Sequence, residues 1–150
     1  SVTVGRVKID AVKTVHGPIT IPILGFTLKT QPGPGERVGL GAMGFKITIG
    51  NISILNLGDS VLLEDWKGVT ADVLMLPIGG LGRHTWTIDV DEALEAVKLI
   101  RPRRVIPCHY SVPLFWKQRF AVADDQRFKR EAELLGVECT ILKYGEVLTM

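Results

Sequence analysis

The segment from Val73 to Cys108 constrains the fold most. Val73-Leu74-Met75-Leu76 is an apolar run that stops at Pro77-Ile78-Gly79-Gly80. Residues 104–108, Arg-Val-Ile-Pro-Cys, form a second such run, which stops at His109-Tyr110. Between them the apolar period changes. Val90, Ala93, Leu94, Val97 and Ile100 recur at spacings of three and four, which is one face of a helix. Asp89 stands where an N-cap belongs and Glu92 follows three positions later, the pattern of a capping box. Pro102 lies just past the last apolar position and prevents the helix from continuing. Strand, helix, strand is therefore the expected order.

The rest of the chain extends this pattern. Residues 4–15 show partial alternation and read as a strand ending at His16. Residues 17–41 begin with an extended-looking stretch and end in Gln-Pro-Gly-Pro-Gly, turn and loop chemistry that suits the rim of a site. Residues 43–50 and 52–57 read as a hairpin, because Gly50-Asn51 tolerates the positive φ of a tight turn. A second helix is expected over 124–135, with Phe128, Ala132 and Leu135 inward and Gly136 as its stop. Glu-Cys-Thr-Ile-Leu-Lys and Glu-Val-Leu-Thr-Met read as two short closing strands. Strands dominate the first half and strand–helix alternation the second, so an α/β layer is expected, a mixed sheet with helices on one face.

With 150 residues the chain fits a single domain, 1–150, and 46% hydrophobic residues suffice for a sizeable core. A net charge of +2 offers no strong electrostatic case for nucleic acid. No apolar run has the length of a membrane span, and no secretory leader is read. Two cysteines, Cys108 and Cys139, argue against a disulfide framework, so a reducing cytoplasm is the expected location.

Three polar residues each follow an expected strand: His16, Asp59 and His109. Sites in layered α/β proteins collect at strand ends, where converging loops are held by a rigid sheet. Imidazole and carboxylate are ligands suited to zinc or a similar metal. The motifs Gly58-Asp59-Ser60, Leu76-Pro77-Ile78-Gly79-Gly80, Thr87-x-Asp89 with Ala93 behind it, and Ile106-Pro107-x-His109-Tyr110 occur in this order. Together they resemble the metallo-β-lactamase superfamily, in its branch of metal-dependent hydrolases that includes the L-ascorbate-6-phosphate lactonase-like proteins. The resemblance implies the C-terminal half of an αββα sandwich. It also implies a metal-dependent hydrolase acting on an ester, lactone or phosphodiester in a small-molecule substrate, with a metal-bound hydroxide as nucleophile. By the same resemblance, two divalent ions (zinc, manganese or iron) would be held in part by His16, Asp59 and His109. Asp59 would bridge the pair, and Asp59 and His109 would form the catalytic core.

One part of the family's pattern is missing. The signature H-x-H-x-D-H does not occur, and the three histidines are His16, His84 and His109. Three of the six or more ligands wanted for two metals are present, so this chain alone is expected to be inactive and without tightly bound metals. It reads as a fragment completed by a missing N-terminal half, by a complementing chain or by self-association, because half a sandwich leaves an apolar face uncovered. The alternative is a non-catalytic binding half-domain that has lost its metal site.

Each candidate also has a plainer role. Asp59 can be a turn aspartate, and His109 a packed histidine bonded to a carbonyl. Tyr110 and His84 are candidates to touch substrate, against packing for the first and simple loop exposure for the second. Alternation turns Cys108 away from the site, as a core thiol. Thr87 and Asp89 read as helix caps. Trp66, Trp86 and Trp116 are expected to pack, and Arg101, Arg103 and Arg104 to form a solvated edge.

Overall fold

The computed structural model describes residues 1–17, 19–23, 26–30, 42–81, 86–113 and 119–149. His84 and Trp116 lie outside the described residues, as does the stretch 31–41 read as a loop. Strands β1 (Val2–Val4), β2 (Val7–Lys13), β3 (Ile19–Ile23), β4 (Phe26–Thr30), β5 (Met43–Ile49), β6 (Ile52–Asn56) and β7 (Val73–Pro77) come first. Helix α1 (Val90–Ile100), β8 (Arg104–Cys108), β9 (Val112–Pro113), β10 (Arg119–Phe120), α2 (Asp125–Leu134) and β11 (Glu138–Cys139) follow. Seven strands form one mixed sheet in the order β1-β2-β5-β6-β7-β8-β11, while β3–β4 and β9–β10 are separate hairpins.

The hydrophobic pattern sets the layers. Register aligns Leu55, Leu74, Val105 and Cys139 across four parallel strands. All four are buried and pack with Ala93, Val97, Ile100, Phe128 and Ala132 of the helices. This is one core between a sheet and a helical layer. The opposite face of the sheet is also apolar. Phe45, Ile47 and Ile49 share it with Ile9, Val7, Ile54 and Ile52, and Phe45 and Ile49 remain 45% and 53% exposed. Among the described residues no helix is long and apolar enough to cross a membrane.

Local chemistry explains the elements. Asp89 caps α1, its carboxylate accepting the Glu92 N–H at 3.0 Å, while Glu92 reaches back to the Asp89 N–H. Both halves of the expected capping box are present. Arg101 ends α1 in the left-handed region, and Asp124 caps α2 through the Arg127 N–H.

Three expectations are corrected and one is refined. Residues 4–15 are two strands, with a reversal at Gly5-Arg6 that pairs Val4 with Val7. The stretch expected to be extended contains β3 and β4, paired antiparallel from Ile19↔Thr30 to Ile23↔Phe26. Leu135 is 42% exposed, because α2 ends before it and Gly136 turns the chain through φ +79°, burying Val137 in its place. Glu138–Cys139 is the only strand in the tail up to residue 149; Leu148 instead borders a cavity with Ile47, Ile49, Ile52 and Ile54.

The entry to β7 carries a pH-sensitive tie. The Asp72 carboxylate accepts from the Ser53 hydroxyl and N–H, each at 2.8 Å. The Ser53 hydroxyl, and then its N–H, hold the Asp72 carboxyl below its ordinary 3.8. An acid with a depressed folded pKa contributes stability that is present above its unfolded pKa and lost as pH falls through the folded one. Asp72→Asn should therefore have a lower urea midpoint than the wild type at neutral pH. The gap should close as pH falls below about 4; a gap that does not depend on pH would remove the ionised carboxylate from the account.

Candidate metal centre

The candidate ligands His16, Asp59 and His109 all follow strands that end on one side of the sheet. Strands β6, β7 and β8 are parallel, so their C-terminal ends align. Strand β2 is antiparallel to β5, which is antiparallel to β6, so β2 also ends on this edge. Asp59 follows β6 after Gly58, whose φ of +58° turns the chain sharply and whose N–H donates to the Asn56 Oδ1 at 2.9 Å. That torsion favours glycine and aims the next side chain off the strand line.

His109 follows β8 with a φ of 50°, an uncommon conformation for a residue with a side chain, held only where the surroundings over-determine it. Gly79 supplies one such restraint. A Cβ there would sit 2.3 Å from the His109 carbonyl oxygen and 2.9 Å from the Ala121 Cβ. Ser111 supplies another, its N–H donating to the Ala121 carbonyl at 2.8 Å. The result brings the His109 Nδ1 to 3.2 Å from the Asp59 Oδ1. The two are within ion-pair distance yet not aligned as a hydrogen bond, and the buried His109 Nδ1 has no hydrogen-bond partner among the described residues. The lack of alignment is the more informative fact, because hydrogen bonding weakens steeply with angle.

His16 reaches the same edge by a different route. Its neighbour Val15 donates its N–H to the Ser60 hydroxyl at 3.0 Å and accepts from the Val61 N–H at 2.8 Å. Farther back, the buried Trp66 indole donates to the Lys13 carbonyl at 2.9 Å, fixing the end of β2. The His16 Nδ1 lies 2.9 Å from the Gly17 carbonyl. A carbonyl can only accept, so Nδ1 carries a proton, and in the neutral ring Nε2 keeps the lone pair. Histidines that bind metal usually show this division, with one nitrogen committed to a backbone carbonyl.

The donor set therefore fits divalent metal in chemistry but not in number. The structure brings Asp59 and His109 together and places His16 on the adjoining segment. Among the described residues, no three His, Cys, Asp or Glu side chains form a set that could hold a metal ion.

Other candidates are placed as follows. The Tyr110 hydroxyl donates to the Asp125 carboxylate of α2 at 3.0 Å, and its ring packs on the core, the packing alternative for this residue. Burial and Asp125 push the Tyr110 phenol well above its ordinary value. Cys108 differs from expectation. Register puts it on the sheet face of Met75 and Ile106, opposite the helices, and burial, aided by the nearby Asp59 carboxylate, pushes its thiol up to about 12. Arg104 holds Glu138 through two contacts of 2.6 and 2.7 Å. With Asp72 and Arg103 it lines a cleft of about 320 Å³ at the opposite end of the strands, far from the strand ends that carry Asp59 and His109. Thr87 does not cap α1. Its buried hydroxyl pairs with the Ser60 backbone instead. Ser60 had no role assigned from sequence, and Trp86 none beyond packing. The serine of Gly-Asp-Ser was the available signal, but a hydroxyl's partner is set by tertiary contacts.

Comparison with known proteins settles the family. The beta-lactamase superfamily domain matches residues 1–109. The chain belongs to the beta-lactamase superfamily. A UPF0173 metal-dependent hydrolase of Nanoarchaeum equitans is 36% identical over 120 residues, covering 77% of this chain and 52% of that protein. Another of the same name from Thermus thermophilus is 30% identical over 166 residues, covering 99% and 70%, which places this beta-lactamase superfamily chain among the UPF0173 proteins. The metallo-beta-lactamase fold protein YhfI of Bacillus subtilis superposes with a TM-score of 0.63 at 19% identity, covering 97% of this chain and 50% of that one. The mixed sheet with its helical layer is thus the fold expected from sequence. The chain spans about half the length of the first of these relatives.

Proposed function

We propose that this chain is one half of a metal-dependent hydrolase, with Asp59, His109 and His16 as its share of the ligands for two divalent ions. The observation that carries this reading is the Asp59–His109 pair, a carboxylate and an imidazole 3.2 Å apart without hydrogen-bond alignment, as two donors facing one cation would be. When bound, paired divalent metals supply Lewis acidity and an activated water. The chain's own contribution is positional. Gly58 aims the carboxylate, the left-handed His109 fixes its imidazole, and the Gly17 carbonyl selects the His16 tautomer. The substrate class is an ester, lactone or phosphodiester; within one fold the substrate is set by the site rather than the scaffold.

The remaining ligands and the cover for the apolar face come from the same source, a companion half that this chain does not span. The first relatives are nearly twice as long as the matched part, and Phe45 and Ile49 lie half exposed on an otherwise apolar sheet face. A second sheet packed about 10 Å away would bury them.

The test is the intact mass, N-terminal sequence and metal content of the protein isolated from its source, followed by Asp59→Asn in that protein. A longer chain or complex with bound divalent metal is expected, with metal affinity and hydrolysis falling about 100-fold or more in the variant, since even an outer partner of a ligand costs up to about 100-fold. A protein starting near Ser1 with neither metal nor companion would instead support the non-catalytic binding half-domain.

A further inference from the structure

We propose that Trp86-Thr87-Ile88 is a positioning clamp that holds the three site-bearing loops in register, an inference that rests on His16, Asp59 and His109 being the ligands. Between them, the three residues reach the segments beside His16, Asp59 and His109. The Trp86 carbonyl accepts the Gly17 N–H at 2.8 Å, beside His16. The Trp86 ring stands edge-on to the His109 ring, with centroids 5.6 Å apart and planes at 88°. The Thr87 hydroxyl accepts from the Ser60 N–H and donates to the Ser60 carbonyl, both at 3.3 Å, beside Asp59. The Ile88 N–H donates to the same carbonyl at 2.8 Å.

Ser60 relays the clamp onward. Its hydroxyl accepts the Val15 N–H at 3.0 Å and donates to the Val61 carbonyl at 2.8 Å. The Thr87–Ser60 bonds are long, but Ser60, Thr87 and Ile88 are each 0% exposed, so no water replaces a lost partner. Trp86 has a φ of 60°, a costly torsion for a bulky residue, of the kind that persists where function requires it. Gly80 provides the seat, since any Cβ there would meet the Thr87 carbonyl oxygen at 2.2 Å.

The clamp is tested on the 150-residue chain by amide hydrogen exchange and by the NMR signals of the His16 and His109 rings. Thr87→Val removes the hydroxyl and keeps the shape; Thr87→Ser restores it. In Thr87→Val the Gly17 and Ile88 amides should exchange about tenfold faster, the scale of one lost buried hydrogen bond. The His109 ring signals should move away from their position beside the Trp86 indole, and the His16 ring signals should move with them. Thr87→Ser should return all of these, and amides of α2 should not change in either variant. Changes confined to Ser60 and Thr87, or faster exchange spread evenly over the whole sheet, would overturn the clamp. Should Thr87→Val not fold, Trp86→Phe serves in its place, read at the His16 ring because the exchanged ring moves the His109 signals directly: shifted His16 signals support the clamp, and unmoved ones overturn it. These readouts need no metal. The hydrolase reading fails separately, if Zn²⁺ leaves the histidine signals unmoved in the protein completed by its companion half while the clamp couplings persist.

Discussion

Gly80→Ala is expected to cost about 3 kcal/mol or more, the upper range of overpacking a closed site, and Gly79→Ala nearly as much. The reason is space rather than torsion. A Cβ on Gly80 would lie 2.2 Å from the Thr87 carbonyl oxygen, 2.6 Å from the Asp89 nitrogen and 2.6 Å from the Ile88 carbonyl carbon. All three are backbone atoms, so no side chain can rotate aside. The loop would have to move, taking the α1 cap and the bonds to Ser60 with it. On Gly79 the first obstacle is again backbone, the His109 carbonyl oxygen at 2.3 Å, so relief there means displacing the candidate ligand itself. Gly5 and Gly50 are the controls. Both have positive φ, +59° and +61°, and nothing within 4 Å of an added Cβ. Alanine there should cost only the torsional strain, about 1–2 kcal/mol. Urea midpoints of the four alanine variants should separate into these two pairs. Gly79→Ala should also loosen the Asp59–His109 approach, visible as a shift of the His109 ring signals. Equal midpoints across the four would mean that the loops around Gly79 and Gly80 yield freely, and the case for a rigid site would fall with them.

These two glycines also mark how far the sequence was legible. The Leu-Pro-Ile-Gly-Gly motif could be seen to matter, but its reason lies in a distant carbonyl at His109 and another at Thr87. Local signals were read well where their physics is local. The Gly50-Asn51 hairpin pairs Ile49 with Ile52 as expected, and the Asp89–Glu92 box closes α1. Failures came where two local rules compete. Val4 and Val7 pair across Gly5-Arg6, so the alternation slips by one residue there, and the partial pattern was read as a single strand. Pro22 sits inside β3, where proline normally argues against a strand. Leu148 belongs to a strand-like stretch but borders a cavity with Ile47 and Ile54 instead of pairing in the sheet. The fold sets Asp59 and His109 3.2 Å apart; that each follows a strand was legible in the sequence. The contacts of Ser60, Thr87 and Trp86 were not, because a hydroxyl or an indole gains its role from partners that only the fold brings near.

Phe128→Ala should be the most damaging single truncation in the helical layer, at about 3–5 kcal/mol. Phe128 is 0% exposed at the centre of α2, one turn before the equally buried Ala132, and few other residues of α2 face the core. The rest of the helix is polar and tied by its rim: Arg127 pairs with Asp91 of α1, and Lys129 donates to the Cys139 carbonyl of β11 at 2.8 Å. The exposed Arg127–Asp91 ion pair contributes about 0–1 kcal/mol, and with the one hydrogen bond from Lys129 it does not replace the apolar anchor of α2. A loss of about 3–5 kcal/mol is a large share of the roughly 5–15 kcal/mol that stabilises a domain. The consequence reaches the site through Asp125, which holds the Tyr110 hydroxyl next to His109. Hydrogen exchange in Phe128→Ala should therefore quicken first in α2 and β11, then at Tyr110 and Ser111, ahead of β6 and β7. Leu134→Ala, at a position 87% exposed on the same helix, should stay within about 0.5 kcal/mol of the wild type. If the two substitutions cost the same, α2 would be held by its rim rather than by Phe128, and the route from helix to histidine would have to be redrawn.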